Sequence, residues 1–317
     1  MTSSWSLFRS SLETAKLFGD GCAEGKTYLV TGPYSGIGVE TVRTLLQAGA
    51  SKVILGGRSQ TAQSEFMETL ERDDGFDVSS RVDGSHTVDL GDLQTVRDFC
   101  YYLTATYKTI DVVICNAGVM NTPCAVTKDG IERQMGTNVV GHFLLCKSLV
   151  PITRRQVWLA SYGHTLRGSK RIDIEALRNF KVDDKGYDGW LKYQQSKLGN
   201  ILMAKEFGKR FNIETVSLHP GTIYTNLYRS SSLFSTGMLF ASMAPSWLAG
   251  NATQAFPKTA SQGAATSIFC ALSPRIEQGA YYSNCAVYPE SLAARNAEDA
   301  AALFDYCDEV TSQFQSD

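Results

Sequence analysis

Tyr193 and Lys197 stand four residues apart in YQQSKLGN, at what reads as the opening of a helix. At helical spacing they share one face, so a phenol hydroxyl and an ammonium address the same region. A free phenol titrates at about pH 10, too high for proton transfer near neutrality; a neighbouring cation favours the phenolate and lowers that value. Such a pair suits hydride reduction of a carbonyl, where a proton must reach oxygen as hydride reaches carbon, and suits the reverse oxidation, where it must leave. The lysine can also hold the ribose hydroxyls of a nucleotide. A solvated helix face explains the pair equally well when it is taken alone.

Two further groups are candidates for the same chemistry. Ser161 closes VWLAS, at the end of a run that reads as a strand, where its hydroxyl can orient a substrate oxygen. Asn138, in TNVVGHFLL, begins or interrupts a long helix whose kink can expose a carbonyl to a water relay. Each has a plain alternative: strand-end serines usually cap the next turn, and asparagines within helices usually face solvent.

The cofactor side of the reaction is written in LVTGPYSGIGVETV, which puts Gly32, Gly36 and Gly38 between a first strand and a first helix, with Ser35 and Ile37 in the same cradle. Glycines there let the backbone approach a diphosphate, and the helix N-terminus attracts its charge. The spacing is G-x-x-x-G-x-G, not G-x-G-x-x-G, so its strand-to-helix context carries the reading. At the end of ILGGRSQ, where an NAD site would offer an acid to the ribose, the chain has Arg58. A guanidinium pairs with a 2′-phosphate and gives a bare ribose no comparable anchor, so NADP(H) is expected over NAD(H). A solvated surface arginine is the alternative. Asp89, at the end of VDL, and Asn116, Ala117 and Gly118 in CNAG are expected at the carboxyl ends of the third and fourth strands, the edge where parallel sheets bind ligands.

Positioning these groups requires a sheet, and the chain supplies the pattern for one. From Lys26 onward, short β-rich runs (TYLVTG, KVILGG, HTVDL, DVVICNAG, VWLAS) alternate with longer helical stretches. That alternation predicts βαβ units and a parallel sheet covered on both faces. No repeat, linker or change of composition divides the chain, so residues 26–317 are expected as one domain preceded by an extension, 1–25.

Composition narrows the partners. Of the 317 residues, 43% are apolar and 20% charged, which suits a large buried core. The net charge of -2 provides no basic field for a nucleic acid. None of the eight cysteines falls in a C-x-x-C spacing and the four histidines are scattered, so no metal site is readable and a reducing compartment is expected. The N-terminus lacks a signal-peptide core. Its Ser-rich, acid-poor residues fit a short organelle-targeting segment, but a frayed amphipathic helix is the plainer reading, and a cytoplasmic protein is expected. No run reaches the length of a membrane span. The apolar stretch Leu233–Gly250, inside a substrate-loop region at about 225–258, suits a cover over a lipophilic carbonyl or alcohol. A core segment, a homodimer contact or a peripheral membrane contact would use the same residues.

Taken in order, TGPYSGIG, NAG, the asparagine before VVGHFLL, Ser161, YQQSK and HPGTIYTNL resemble the short-chain dehydrogenase/reductase family from about Lys26 to Asn284. Within it, TNVVGHFLLCKSLVP, YQQSKLGNILMAKEFGKRF and SQGAATSIFCAL look like the retinol dehydrogenase and WW-domain oxidoreductase branch. The resemblance implies a single-domain Rossmann fold, α/β, with a doubly wound parallel sheet of about seven strands. It implies a catalytic tetrad of Asn138, Ser161, Tyr193 and Lys197. Gly32, Gly36, Gly38, Arg58, Asp89, Asn116 and Thr225 would handle the cofactor, with Pro220 and Gly221 beside the nicotinamide. The chain departs from its relatives at Pro33 and Tyr34 in the glycine loop, and in the long connection 162–192. The expected function is NADP(H)-dependent hydride transfer to or from a hydrophobic aldehyde, ketone or alcohol. Its rivals are a light-dependent double-bond reductase of the protochlorophyllide type and a non-catalytic NADP-binding scaffold.

Overall fold

The computed structural model describes residues 9–165, 171–182, 185–223 and 258–315. Eight strands form one sheet: β1 (Thr27–Thr31), β2 (Lys52–Gly56), β3 (Val82–Asp83), β4 (Ile110–Cys115), β5 (Thr153–Leu159), β6 (Glu214–His219), β7 (Tyr281–Ser283) and β8 (Ala286–Val287). Their order is β3-β2-β1-β4-β5-β6-β7-β8, parallel throughout except for the final antiparallel pair. The eighth strand extends the expected sheet of about seven. Along β4, Val113 and Cys115 enter one apolar core while Val112 and Ile114 enter the other. Burial on both faces is why the central strands read as unbroken apolar runs.

One face is covered by α1 (Ser11–Lys16), α2 (Ile37–Gln47), α3 (Gln60–Arg72) and, late in the chain, the helix Ala260–Leu272. The other carries α4 (Leu93–Thr106), α5 (Gly141–Leu149), α6 (Gly189–Phe211) and the C-terminal helix Ala297–Thr311. In chain order these last two late helices are α7 (Ala260–Leu272) and α8 (Ala297–Thr311). The sheet is therefore doubly wound, and the chain switches direction between β1 and β4, which opens a crevice at the carboxyl ends of the strands.

Two placements differ from expectation. The third strand is Val82–Asp83, not HTVDL, so Asp89 lies beyond it in an irregular segment. The turn after Asp83 ends the ladder: Ser85 N–H donates to the Asp83 carboxylate at 3.1 Å, which Tyr102 also holds at 2.6 Å. The Val88 N–H donates to the carbonyl of Gly57, just past β2, at 2.8 Å. Part of the expected N-terminal extension is packed. Helix α1, capped by Ser10 and Glu13, buries Ser11, Thr14 and Ala15. The Ser11 hydroxyl meets Ser261 at 3.0 Å on α7 and Thr44 at 2.8 Å on α2.

Candidate active site

The glycine loop is shaped by backbone demands that other residues could not meet. Gly36 caps α2 at φ 52, in the left-handed region. Gly38 packs so closely that a Cβ there would lie 2.0 Å from the Gly32 carbonyl oxygen. The loop is tied across to β4, because Asn116 Nδ2 donates to the Thr31 and Gly32 carbonyls at 2.8 and 3.0 Å. The Ala117 N–H donates to Thr31 Oγ1 at 2.9 Å. Thr31 Oγ1 in turn lies 2.9 Å from His142 Nε2. His142 Nδ1 is 3.0 Å from the Asn138 carbonyl, which assigns the ring proton to Nδ1. Burial pushes His142 down to about 4, so the ring is neutral.

Asn138 lies in a turn of π-helix, Gly136–Val140, that leads into α5. A π-turn interrupts the helix at Asn138, and the Asn138 carbonyl accepts from His142 Nδ1. The side chain does more: Nδ2 donates to the Val119 carbonyl and to Ser196 Oγ, each at 2.9 Å, and Oδ1 accepts from the Val119 N–H at 2.8 Å. Asn138 thus clasps the turn after β4 to the helix that carries the tyrosine and lysine. Gly118 lets this happen, since a Cβ there would press within 3.2 Å of Asn138 Oδ1 and 3.4 Å of Lys197 Nζ.

Helix α6 starts at the Asp188 cap, whose carboxylate accepts from the Trp190 and Leu191 N–H groups. Tyr193 and Lys197 follow within its first turns and face the sheet edge as their spacing requires. Lys197 is buried; its ammonium donates to the Leu159 carbonyl at 2.9 Å and lies 5.8 Å from the Tyr193 ring centroid. Burial lowers Lys197 to about 8. Ser161 sits two residues past β5, where its Oγ accepts the Gly163 N–H at 3.1 Å.

These groups open into one cavity of about 350 Å³ that runs from Arg58 past Asn116 to Ser161, Tyr193 and Lys197. The described residues expected at the cofactor all line it except Gly38, which admits the loop from behind. Thr225 and most of the 225–258 region lie outside the described residues. Arg58 is exposed, with no hydrogen bond or carboxylate partner among the described residues. The glycine cradle and the helix N-terminus fit the diphosphate of a dinucleotide. Among the described residues no cluster of His, Cys, Asp or Glu is placed to hold a metal, and no helix is long and apolar enough to cross a membrane.

Sequence reasoning missed His142, Thr31 and His219. The first follows Asn138 by one helical turn, a spacing that the sequence does display. His219 precedes Pro220 at the end of β6 and lines the cavity, buried, with neither ring nitrogen hydrogen-bonded among the described residues. Contacts from Arg178 and Tyr187 fasten the long connection 162–192 to the rest of the domain. Arg178 pairs with Glu309 on α8 at 2.5 Å, and the Tyr187 hydroxyl donates to Glu132 at 2.8 Å.

Comparisons with known proteins agree with this geometry. The short chain dehydrogenase family model matches residues 26–158. Mouse "Retinol dehydrogenase 11" is 35% identical over 299 residues, which cover 90% of this chain and 86% of that protein. Chicken "WW domain-containing oxidoreductase" is 30% identical, covering 89% and 67%. A crystal structure of an uncharacterised protein from Mycobacterium paratuberculosis superposes with a TM-score of 0.69 at 28% identity, over 91% of this chain and 94% of that one. The chain belongs to the short-chain dehydrogenase/reductase family, in its retinol dehydrogenase-like branch, and is an oxidoreductase.

Proposed function

We propose that the protein interconverts a carbonyl and an alcohol on a small hydrophobic molecule, with NADP(H) as its cofactor. The observation that carries this reading is the burial of the Lys197 ammonium beside the Tyr193 ring, in one cavity with Ser161. When bound, the nicotinamide supplies or accepts the hydride. Tyr193 gives its phenolic proton to the substrate oxygen in reduction and takes it back in oxidation. Lys197 favours the phenolate by its charge and is placed to hold the ribose hydroxyls. Ser161 orients the substrate oxygen from the same cavity. Asn138 is a positioning residue that acts through its side chain.

Arg58, a cation without a carboxylate partner among the described residues, supports the preference for NADP(H). The eight cysteines, all free thiols, support a reducing compartment, and we place the protein in the cytoplasm. Purified protein should oxidise NADPH in the presence of retinal, aliphatic aldehydes, steroid ketones or quinones, and do so in the dark. Tyr193→Phe should remove that turnover and leave NADPH binding intact. Turnover that needs illumination, or NADPH binding without consumption across the panel, would overturn the reading.

A further inference from the structure

Tyr34 is one of the two residues by which the glycine loop departs from its relatives, and the structure shows what it does there. Its ring packs against the backbone after β2, so close that a Cβ at Gly57 would fall 2.3 Å from Cε1 and 2.8 Å from the hydroxyl oxygen. Its hydroxyl accepts the Ser59 N–H at 3.0 Å. Ser59 is the cap of α3, and its own Oγ accepts from the Ala62 N–H. Tyr34 therefore bridges the phosphate loop to the turn that carries Arg58, and both side chains line the cavity.

The chemistry of that corner is one-sided. The Tyr34 hydroxyl is held by accepting from Ser59, which leaves its own proton as a donor with no acceptor among the described residues. The Arg58 guanidinium, which lines the same cavity, offers donors only. No described carboxylate accepts from either group. A ribose 2′-hydroxyl prefers an acceptor for its proton, whereas a 2′-phosphate is an acceptor on all its free oxygens. A hydroxyl fixed by a backbone N–H and an exposed cation form a pair of donors suited to the phosphate.

We propose that Tyr34 is a second determinant of cofactor choice, donating its hydroxyl proton to the 2′-phosphate of NADP(H) while its ring holds the glycine loop against Gly57. This rests on the NADP(H) reading of Arg58 and assigns that site a partner that the arginine alone does not supply. The two functions of the side chain differ in the ligand they serve. The ring and the bond accepted from Ser59 hold the loop for any dinucleotide, and the proton that the hydroxyl donates serves only the phosphorylated one.

The test is equilibrium binding of NADPH, NADH, 2′,5′-ADP and 5′-AMP to wild-type protein and to the Tyr34→Phe, Tyr34→Ala and Arg58→Met variants, with thermal unfolding as a folding control. Tyr34→Phe should weaken NADPH and 2′,5′-ADP about tenfold, the effect of losing one hydrogen bond to a charged group, with NADH and 5′-AMP unchanged. Tyr34→Ala should weaken all four. If Tyr34→Phe weakens all four ligands equally, or none, the proposal is overturned, while a preference abolished by Arg58→Met would leave the cofactor reading standing. Wild-type protein that binds NADPH no better than NADH would overturn both. Because the fragments bind without substrate, every outcome is readable before a substrate is known.

Discussion

Asn138 Nδ2 donates to Ser196 Oγ at 2.9 Å, one residue before the buried Lys197. The same amide group holds both backbone groups of Val119. One side chain therefore sets the distance between the turn after β4 and the helix bearing the acid–base pair. Asn138→Ala would deprive the part-buried Val119 N–H and carbonyl of this partner, at about 1 kcal/mol for each. We expect kcat to fall at least about tenfold with a lower Tm, and Asn138→Asp to restore the Val119 N–H contact alone. An Asn138→Ala variant with unaltered kcat would remove the positioning role.

Lys197 is held in place at a cost to folding. Burial lowers it from 10.5 to about 8, so the unfolded chain binds its proton more tightly than the folded one. Its contribution is fully favourable only above pH 10.5, and it declines as pH falls from there to about 8. At pH 7 the buried charge is a net burden. Lys197→Met should therefore raise Tm, or leave it unchanged, while lowering kcat/KM by about 10²-fold or more. A lower Tm at pH 7 would show that the ammonium stabilises the fold.

Acid should unfold the protein through its buried imidazoles. Burial lowers His142 to about 4 and His219 to about 3, from 6.5. Both are depressed, so the stability they allow is complete above pH 6.5 and is lost as pH falls toward 4 and below, because the unfolded chain takes up protons first. His219→Leu should give a shallower decline of Tm between pH 6.5 and 4.5 than the wild type. An identical slope would exclude His219 from the transition.

Helix α1 should be integral to the domain. Its Ser11 hydroxyl is buried between Thr44 and Ser261. Ser11→Ala leaves those two hydroxyls without this partner, at about 1 kcal/mol, or about 2–4 °C in Tm for a domain of this kind. Deletion of residues 1–16 should cost more, since it also removes Ala15 from the core it shares with α2 and α7. Calorimetry that finds the truncated protein as stable as the full chain would show α1 to be dispensable.

Much of this molecule was legible before any coordinate. The alternation of β-rich and helical runs, the glycine loop and the Tyr193–Lys197 spacing are local properties. They depend on side-chain periodicity, on φ angles that glycine tolerates, and on residues a few positions apart. Asp89 shows the limit of such reading: its segment has the composition of a strand, but the turn that binds Asp83 to Ser85 and Tyr102 ends the ladder first. Asn138 shows another. Its interruption of the helix was readable, but the contacts that its side chain makes with Val119 and Ser196 were not.

The sequence by itself determined the fold class, the strand edge at which the site lies and the residue types able to move a proton there. Tertiary structure decided which groups touch: Asn138 to Ser196, Thr31 to His142, and Tyr34 to the backbone at Ser59. It also decided which charge is buried and which is free, Lys197 against Arg58. Local pattern follows from the geometry of a few consecutive residues. Contacts between distant segments depend on how the whole sheet is ordered and closed, and no short stretch of sequence records that.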